Sequence, residues 1–280
     1  EVGDAEANGQ LILLAEDNEI NQEIAVATLE EAGHEVDVVE NGADAVKTVQ
    51  SVSYDIVLMD VHMPVMDGVA AAKEIRQLAG PVSKIPIIAL TANAMVGDRE
   101  KYIASGMDDY ASKPFDPDTL LSTMRQCVEN AHSRVGSGAR AGVEAGSLAE
   151  QEVPLPEGQV TVLDPAIVEP LRVNKPDLWK RLGGIYLETT PASLKTLETA
   201  LTAGDCAAVQ MTAHTLKSSS ANMGAAGLSD LCQQLEAVAG QANLESTPDL
   251  LAEIQSEYGN VAVALSSDDE DEEMAKKSIA

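Results

Sequence analysis

Short apolar runs alternate with longer amphipathic stretches through the first half of the chain. Stretches such as 18–32 and 98–105 have the spacing of amphipathic helices. Such alternation is typical of a parallel sheet with helices on both faces, and strands buried on both faces are apolar almost throughout. The apolar runs that predict strands are 11–15, 34–39, 54–60, 85–91 and 108–112.

The pattern changes after residue 130. Gly, Ser, Ala, Glu and Pro dominate residues 131–162, a composition typical of a flexible linker. From Asp164 onward only helical spacing is found, and it predicts a bundle of five or six helices. The predicted parts are an N-terminal extension (1–10), an α/β domain (11–130), the linker (131–162), a helical bundle (163–266) and an acidic tail (267–280).

Composition and charge limit the kinds of molecule that the chain is expected to bind. The 280 residues suffice for two domains, and with 45% hydrophobic but only 2% aromatic residues the cores must be aliphatic. A net charge of −28 argues against direct contact with nucleic acid or an anionic membrane surface. The acidic run at 268–273 contributes to that charge and is expected to be a solvated tail.

Three well-separated cysteines without a Cys-x-x-Cys pair indicate a reducing compartment. Neither a signal peptide nor a membrane-spanning apolar run is evident. We therefore expect a cytoplasmic fragment without membrane contact of its own. The chain starts at Glu1, and its parent could be anchored in an inner membrane.

Polar residues follow the predicted strands at one edge of the sheet. Glu16 and Asp17 follow the first strand, and Asp60 ends the third. Thr91 ends the fourth strand, and Lys113 follows the fifth. Because ligands of open parallel sheets bind outside the carboxyl ends of the strands, we expect these side chains to lie together.

The chemistry of this set points to phosphoryl transfer. Clustered carboxylates repel one another unless a cation joins them, and an all-oxygen site suits Mg²⁺. Lys113 offers a point charge for a phosphoryl group, and Asp60 can act as a nucleophile that forms an aspartyl phosphate. The residues therefore predict a Mg²⁺-dependent phospho-acceptor aspartate.

A second candidate lies on a helix predicted over about 205–222. One stripe of this helix faces the bundle core, and the neighbouring stripe projects outward. A neutral imidazole can accept a phosphoryl group, although taken alone this helix favours an ordinary surface histidine. The core stripe is Val209, Ala213, Leu216 and Ser220, and the outward stripe is His214, Lys217, Ser218 and Ala221.

Residues 11–130 resemble a response-regulator receiver domain. The motifs "LAEDNEINQ", "DIVLMDVHMPVMDG", "PIIALTANA" and "GMDDYASKPF" occur in the family's order. The resemblance implies a flavodoxin-like (βα)5 fold, α/β and doubly wound, with strand order 2-1-3-4-5. It also implies that Asp60 is the phosphorylation site.

The same resemblance implies the roles of the surrounding residues. Mg²⁺ would be bound by Asp17, Asp60 and the backbone carbonyl of His62, with Glu16 acting through water. Lys113 would contact the phosphoryl oxygens, and its peptide bond to Pro114 would be cis. Thr91 and Tyr110 would form the switch pair. From the residues alone, no second histidine lies at ligand spacing, and His62 is expected to be a surface loop residue.

Residues 164–265 resemble a histidine phosphotransfer (HPt) domain, through the motif "AHTLKSSSANMGA". The resemblance implies that His214 is phosphorylated and that Lys217 assists it. Ser218 stands where the family usually has glycine, a departure expected to slow or redirect transfer without abolishing it.

Together the two resemblances imply a phosphorelay module from the C-terminal part of a hybrid sensor histidine kinase. A kinase histidine of the same parent chain would phosphorylate Asp60, which would exchange the group with His214, and His214 would pass it to a downstream receiver. Without a Gly-rich nucleotide-binding segment, the chain is not expected to use ATP directly. An aspartyl-phosphate phosphatase and a silent interaction scaffold are the alternatives.

Overall fold

The computed structural model describes residues 9–91, 98–113, 116–136, 162–242, 244 and 247–279. Within these ranges the first half is an α/β domain and the second half a helical bundle, as predicted. Most of the predicted N-terminal extension and linker lies outside the described residues.

The α/β domain contains a five-stranded parallel sheet with the order β2-β1-β3-β4-β5, which confirms the expected topology. Its strands are β1 (Leu11–Ala15), β2 (Glu35–Val39), β3 (Ile56–Asp60), β4 (Ile87–Thr91) and β5 (Asp109–Ser112). The helices between and after them are α1 (Glu19–Glu31), α2 (Gly42–Thr48), α3 (Gly68–Gln77), α4 (Asp98–Ala104) and α5 (Pro117–Gly136), with a short 3-10 helix at Pro81–Lys84.

Alternate residues of the central strands enter two separate apolar layers. Leu13, Val57 and Met59 belong to the layer on one face of the sheet. Ile12 and Leu58 belong to the layer on the opposite face. Side chains in a strand point alternately to the two faces, so an apolar strand can serve both layers. This burial fixes the carboxyl ends of β1 and β3 side by side.

The bundle consists of five helices over the described residues, α6 (Pro165–Asn174), α7 (Pro176–Ala203), α8 (Cys206–Asn222), α9 (Ala226–Gly240) and α10 (Thr247–Ile279). Its core includes Leu182, Leu197 and Leu235, which are fully buried. The buried hydroxyls of Tyr186 and Ser220 lie 2.8 Å apart and satisfy each other within this core. No helix in the described part of the chain is both long enough and apolar enough to cross a membrane.

Two helices continue beyond the domain limits predicted from the sequence. Helix α5 continues to Gly136, inside the predicted linker, and α10 continues to Ile279, through the predicted acidic tail. The run at 268–273 is therefore helical. Glu, Met, Ala and Lys have high helix propensity, and Lys276 and Lys277 lie near the helix C-terminus, where positive charge is favourable.

Helix α1 packs against both halves of the molecule. Ala25 and Leu29 lie in an apolar layer of the sheet. Ile20 instead belongs to the core of the bundle, and Ile24 and Ala27 pack against that core. The two domains have their own cores, but they share this helix and are docked against each other.

Gly68, at the start of α3, lies directly beneath the end of β3. A Cβ atom there would lie 2.1 Å from the carbonyl oxygen of Asp60. The backbone N–H of Gly68 also donates to the carbonyl of Val61 at 3.0 Å, so the close approach is held in place. Glycine is needed here because any side chain would separate α3 from Asp60.

We expect Gly68→Ala to lower the free energy of unfolding of the α/β domain by about 1–3 kcal/mol, the usual cost of overpacking. Gly183→Ala is the control: no heavy atom lies within 4 Å of the added carbon in α7. That change should stabilise the bundle by up to about 1 kcal/mol. Differential scanning calorimetry of the variants measures both effects, and equal stability of Gly68→Ala and wild type would contradict the packing.

Candidate functional site

An acidic pocket lies at the carboxyl ends of β1 and β3. One carboxylate oxygen from each of Glu16, Asp17 and Asp60 can be chosen so that all lie within 4.8 Å of one another. The ammonium of Lys113, which follows β5, lies 2.5 Å from Glu16 Oε2 and 2.8 Å from Asp60 Oδ2. The structure therefore brings together these four residues, as the strand-end argument predicted.

Burial determines the electrostatics of this pocket. Desolvation, followed by repulsion from Asp60, raises the pKa of Asp17 to about 6. Desolvation also raises the pKa of Glu16, against the attraction of Lys113. Burial alone would lower the pKa of Lys113, but the charges of Asp60 and Glu16 outweigh it and raise that pKa. Three carboxylates thus share one ammonium, and the oxygen-only donor set fits a divalent cation such as Mg²⁺.

Thr91 is buried at the end of β4, and its side-chain oxygen accepts a hydrogen bond from the Tyr102 hydroxyl at 3.1 Å. Tyr110, the expected switch partner, lies with its ring centroid 6.5 Å from that of Tyr102. Sequence reasoning missed Tyr102, which lies in α4, between the two predicted residues. Residues 92–97 and 114–115 are outside the described ranges, and so is the expected cis Lys113–Pro114 bond.

The His62 ring contacts the bundle. Its centroid lies 4.3 Å from that of the His214 ring, with a 46° angle between the planes. The His62 backbone N–H also donates to Asp60 Oδ1, at 3.3 Å. His62 is an exposed loop residue, as expected, although the docked bundle partly covers its ring and supplies an aromatic neighbour. Burial, and then the nearby charge of His214, lower the pKa of His62.

His214 lies on α8 beside the predicted core stripe. Val209, Ala213 and Leu216 are buried in the bundle core as predicted. The prediction of an exposed imidazole was wrong, since His214 is only 5% exposed. The reason is the docking of the α/β domain, which covers the outward stripe of the helix.

Glu236 of α9 holds the His214 ring. The imidazole Nδ1 lies 2.7 Å from Glu236 Oε1, and Lys217 Nζ lies 2.5 Å from Glu236 Oε2. With the Nδ1 proton donated to the carboxylate, Nε2 carries the free lone pair. Nε2 is buried and has no hydrogen-bond partner among the described residues. This arrangement prepares one nitrogen as a nucleophile.

Sequence reasoning placed Lys217 beside His214 on one stripe of α8 but missed Glu236, which links the two side chains. The only available signal was that Glu236 follows Leu235 of the apolar stripe on α9. Burial alone would raise the pKa of Glu236, but hydrogen bonds from His214 and Lys217 lower it to about 2. The carboxylate therefore stays ionised and orients both neighbours.

Comparison with known families identifies both domains. The model of the response regulator receiver domain matches residues 12–125, and the model of the Hpt domain matches residues 181–264. The chain thus contains a receiver domain followed by an Hpt domain.

Curated relatives match this chain over different lengths. The signal transduction histidine-protein kinase BarA of Escherichia coli K12 is 28% identical over 253 residues, covering 90% of this chain and 26% of that protein. "Two-component system protein A" of Emericella nidulans is 47% identical over 116 residues, covering 40% of this chain and 17% of that protein. The chain therefore matches about a quarter of the length of BarA and about a sixth of the length of the other relative.

Among solved structures, the receiver domain of a sensor histidine kinase from Pseudomonas aeruginosa PAO1 is 43% identical, with a TM-score of 0.41. The match covers 43% of this chain and 98% of that one, which was crystallised with a magnesium ion coordinated in its active-site cleft.

We expect Glu236→Gln to reduce stability at neutral pH by on the order of 1 kcal/mol, because Lys217 loses a partly buried partner. The wild-type advantage should be complete above pH 4.5, the ordinary pKa of the carboxyl, and should disappear as pH falls through about 2. Urea unfolding at a series of pH values measures the difference. Glu198→Gln, at an exposed position of α7, is the control, and a difference that does not vary with pH would contradict the pairing.

Proposed function

We propose that this chain is a phosphorelay module in which Asp60 accepts a phosphoryl group and exchanges it with His214. The observation that carries the proposal is the docked arrangement itself. The His214 ring contacts His62, whose backbone N–H donates to Asp60 Oδ1. Both proposed phospho-acceptors therefore face one buried interface between the domains.

The exchange is a phosphoryl transfer between an oxygen and a nitrogen. In the forward direction His214 Nε2 attacks phosphorus, the new P–N bond forms, and the P–O bond to Asp60 breaks and leaves a carboxylate. Lys113 lies 2.8 Å from that carboxylate and stabilises the returning charge. Glu236 accepts a hydrogen bond from Nδ1–H and stabilises the positive charge that develops on the ring.

The acidic pocket supports a Mg²⁺ site. Asp17 and Asp60 would bind the ion, with Glu16 close enough to assist and the carbonyl of His62 as the further ligand that the family resemblance implies. When bound, Mg²⁺ neutralises charge on phosphoryl oxygens. The chain's own contribution is to bury these carboxylates and to keep Lys113 protonated beside them.

The alignment with BarA over 253 residues supports a place within a hybrid sensor histidine kinase. A kinase domain of the same parent chain would phosphorylate Asp60, and a downstream response-regulator receiver would take the group from His214. A cytoplasmic location agrees with this proposal, because the phosphodonors and acceptors of such a relay must share one compartment.

Incubation with acetyl phosphate and Mg²⁺ should place label at two sites of the wild-type chain. One adduct, on Asp60, should be base-labile, and the other, on His214, should be acid-labile. Asp60→Asn should lose both, whereas His214→Gln should lose only the acid-labile adduct. Intact-mass measurement after acid or base treatment distinguishes them, with His34→Gln as the control. Undiminished labelling of Asp60→Asn would overturn the proposal.

Asp17→Asn should weaken Mg²⁺ binding by about tenfold or more, because the site loses one charged ligand of a small set. Titration calorimetry of the unphosphorylated chain measures the affinity without reference to transfer. Asp118→Asn, at an exposed position in the first turn of α5, removes the same charge away from the pocket and should bind as wild type does. Equal affinity of both variants would contradict the metal assignment.

A further inference from the structure

A buried carboxamide joins the acidic pocket to the bundle. Asn21, in the first turns of α1, is 1% exposed. Its Nδ2 donates to Glu16 Oε1 at 2.7 Å and to Ser218 Oγ at 3.0 Å, while its Oδ1 accepts from Asn222 Nδ2 at 2.7 Å. Both N–H bonds and the carbonyl of the amide therefore have hydrogen-bond partners, and two of these three hydrogen bonds are made with α8.

The N-cap of α1 helps to fix the position of the Asn21 carboxamide. The side chain of Asn18 caps α1 and accepts from the backbone N–H groups of Ile20 and Asn21, both at 3.1 Å. The cap fixes the first turn of the helix, and Asn21 then lies between Glu16 and the bundle. The carboxamide is thus held in the orientation that α8 recognises.

The contact with Asn21 gives the Ser218 hydroxyl a role in docking the two domains. Its hydroxyl accepts the Asn21 hydrogen bond, which glycine at the same position could not do. Ser218 and Asn222 are 5% and 4% exposed, so neither could replace a missing partner with bulk water while the domains are docked. A receiver without a carboxamide at this position would leave two buried polar groups unpaired.

The contacts around the amide form a complete interface. Ile20 packs into the bundle core beside it. Glu31 pairs with Lys175, and Glu23 pairs with Arg181, at the more exposed margin. An apolar centre with a charged margin is the usual construction of a specific protein interface, and marginal ion pairs contribute more to orientation than to affinity.

We propose that Ser218 and Asn222 are specificity-determining residues that select the chain's own receiver domain by its Asn21 carboxamide, so that His214 exchanges phosphate first with the attached Asp60. The inference rests on the proposed function. It reverses the sequence-based expectation for Ser218, because restoring glycine should weaken transfer within the chain rather than ease it.

The test follows phosphoaspartate and phosphohistidine within the 280-residue chain after a pulse of acetyl phosphate and Mg²⁺. The rate of phosphohistidine formation divided by the amount of phospho-Asp60 gives a transfer constant that does not depend on how fast Asp60 is labelled. Ser218→Ala, Ser218→Gly and Asn222→Ala should each lower this constant by about three- to tenfold, the effect of one buried hydrogen bond.

Ser219→Ala is the matched control. It removes one hydroxyl from the same helix, but this hydroxyl donates only within α8, to the carbonyls of Thr215 and Leu216. Its transfer constant should equal that of wild type, with circular dichroism confirming that every variant is folded. The combination Asn21→Ala with Ser218→Ala should be no slower than Asn21→Ala alone, because both changes remove the same bond.

Exchanging the charges of the Glu23–Arg181 ion pair independently tests the orientation of the two domains. Glu23→Arg and Arg181→Glu should each slow transfer, and the double variant should recover it, since the pair is re-formed with reversed polarity. The constant should also be unchanged when the chain is diluted, because the partner is attached.

The outcomes separate this inference from the proposed function. Absence of phosphohistidine in the wild-type chain would overturn both. If the wild-type chain forms phosphohistidine normally but Ser218→Ala and Asn222→Ala have the wild-type transfer constant, the inference alone would be overturned. The same conclusion would follow if the Ser219→Ala control were as slow as Ser218→Ala. A constant that rises with chain concentration would show that the receiver of a second copy is the partner instead, and would also overturn it.

Discussion

Buried charges in both domains need partners, and this requirement determines how the molecule is assembled. In the receiver domain one ammonium lies between two carboxylates, with a third carboxylate beside them. In the Hpt domain one carboxylate lies between an ammonium and an imidazole. Leaving Lys113 or one of its two carboxylate partners unpaired in the fully buried receiver pocket would cost several kcal/mol, on the order of the stability of a small domain. The pairing therefore dictates where the strands and helices that carry these residues have to meet.

The two charge clusters complement each other across the interface. The receiver pocket has an excess of negative charge, which suits a cation and a phosphoryl group in turn. The Hpt side presents Nε2 of His214, while Nδ1 of the same ring is hydrogen-bonded to Glu236. Helix α1 connects them, because one of its faces packs on the sheet and another on the bundle. Asn21 lies where these faces meet and touches both the pocket and α8.

The parts of this arrangement that follow from local rules could be predicted from the sequence. The strands, the parallel topology and the convergence of Glu16, Asp60 and Lys113 follow from apolar runs and from the single edge at which parallel strands end. Glu236, Tyr102 and Asn21 could not be found in this way, because their partners lie on other elements and no spacing along the chain marks them.

The same limit explains the wrong expectation for His214. A helical wheel identifies which residues avoid the core of their own domain, and it placed His214 outside that core correctly. It contains no information about a second domain that covers the remaining face. The extension of α10 to Ile279 was missed for a different reason, since an acidic run is compatible with both a tail and a helix and composition alone favoured the tail.

The coverage of His214 has a consequence for the timing of a relay. With only 5% of the residue exposed, a second receiver has no access to the imidazole while the attached one is in place. Two receivers cannot occupy this helix face at once, so in the proposed relay export of a phosphoryl group would have to wait for the domains to separate. The residence time of the docked state would then limit how often the module could deliver its phosphate.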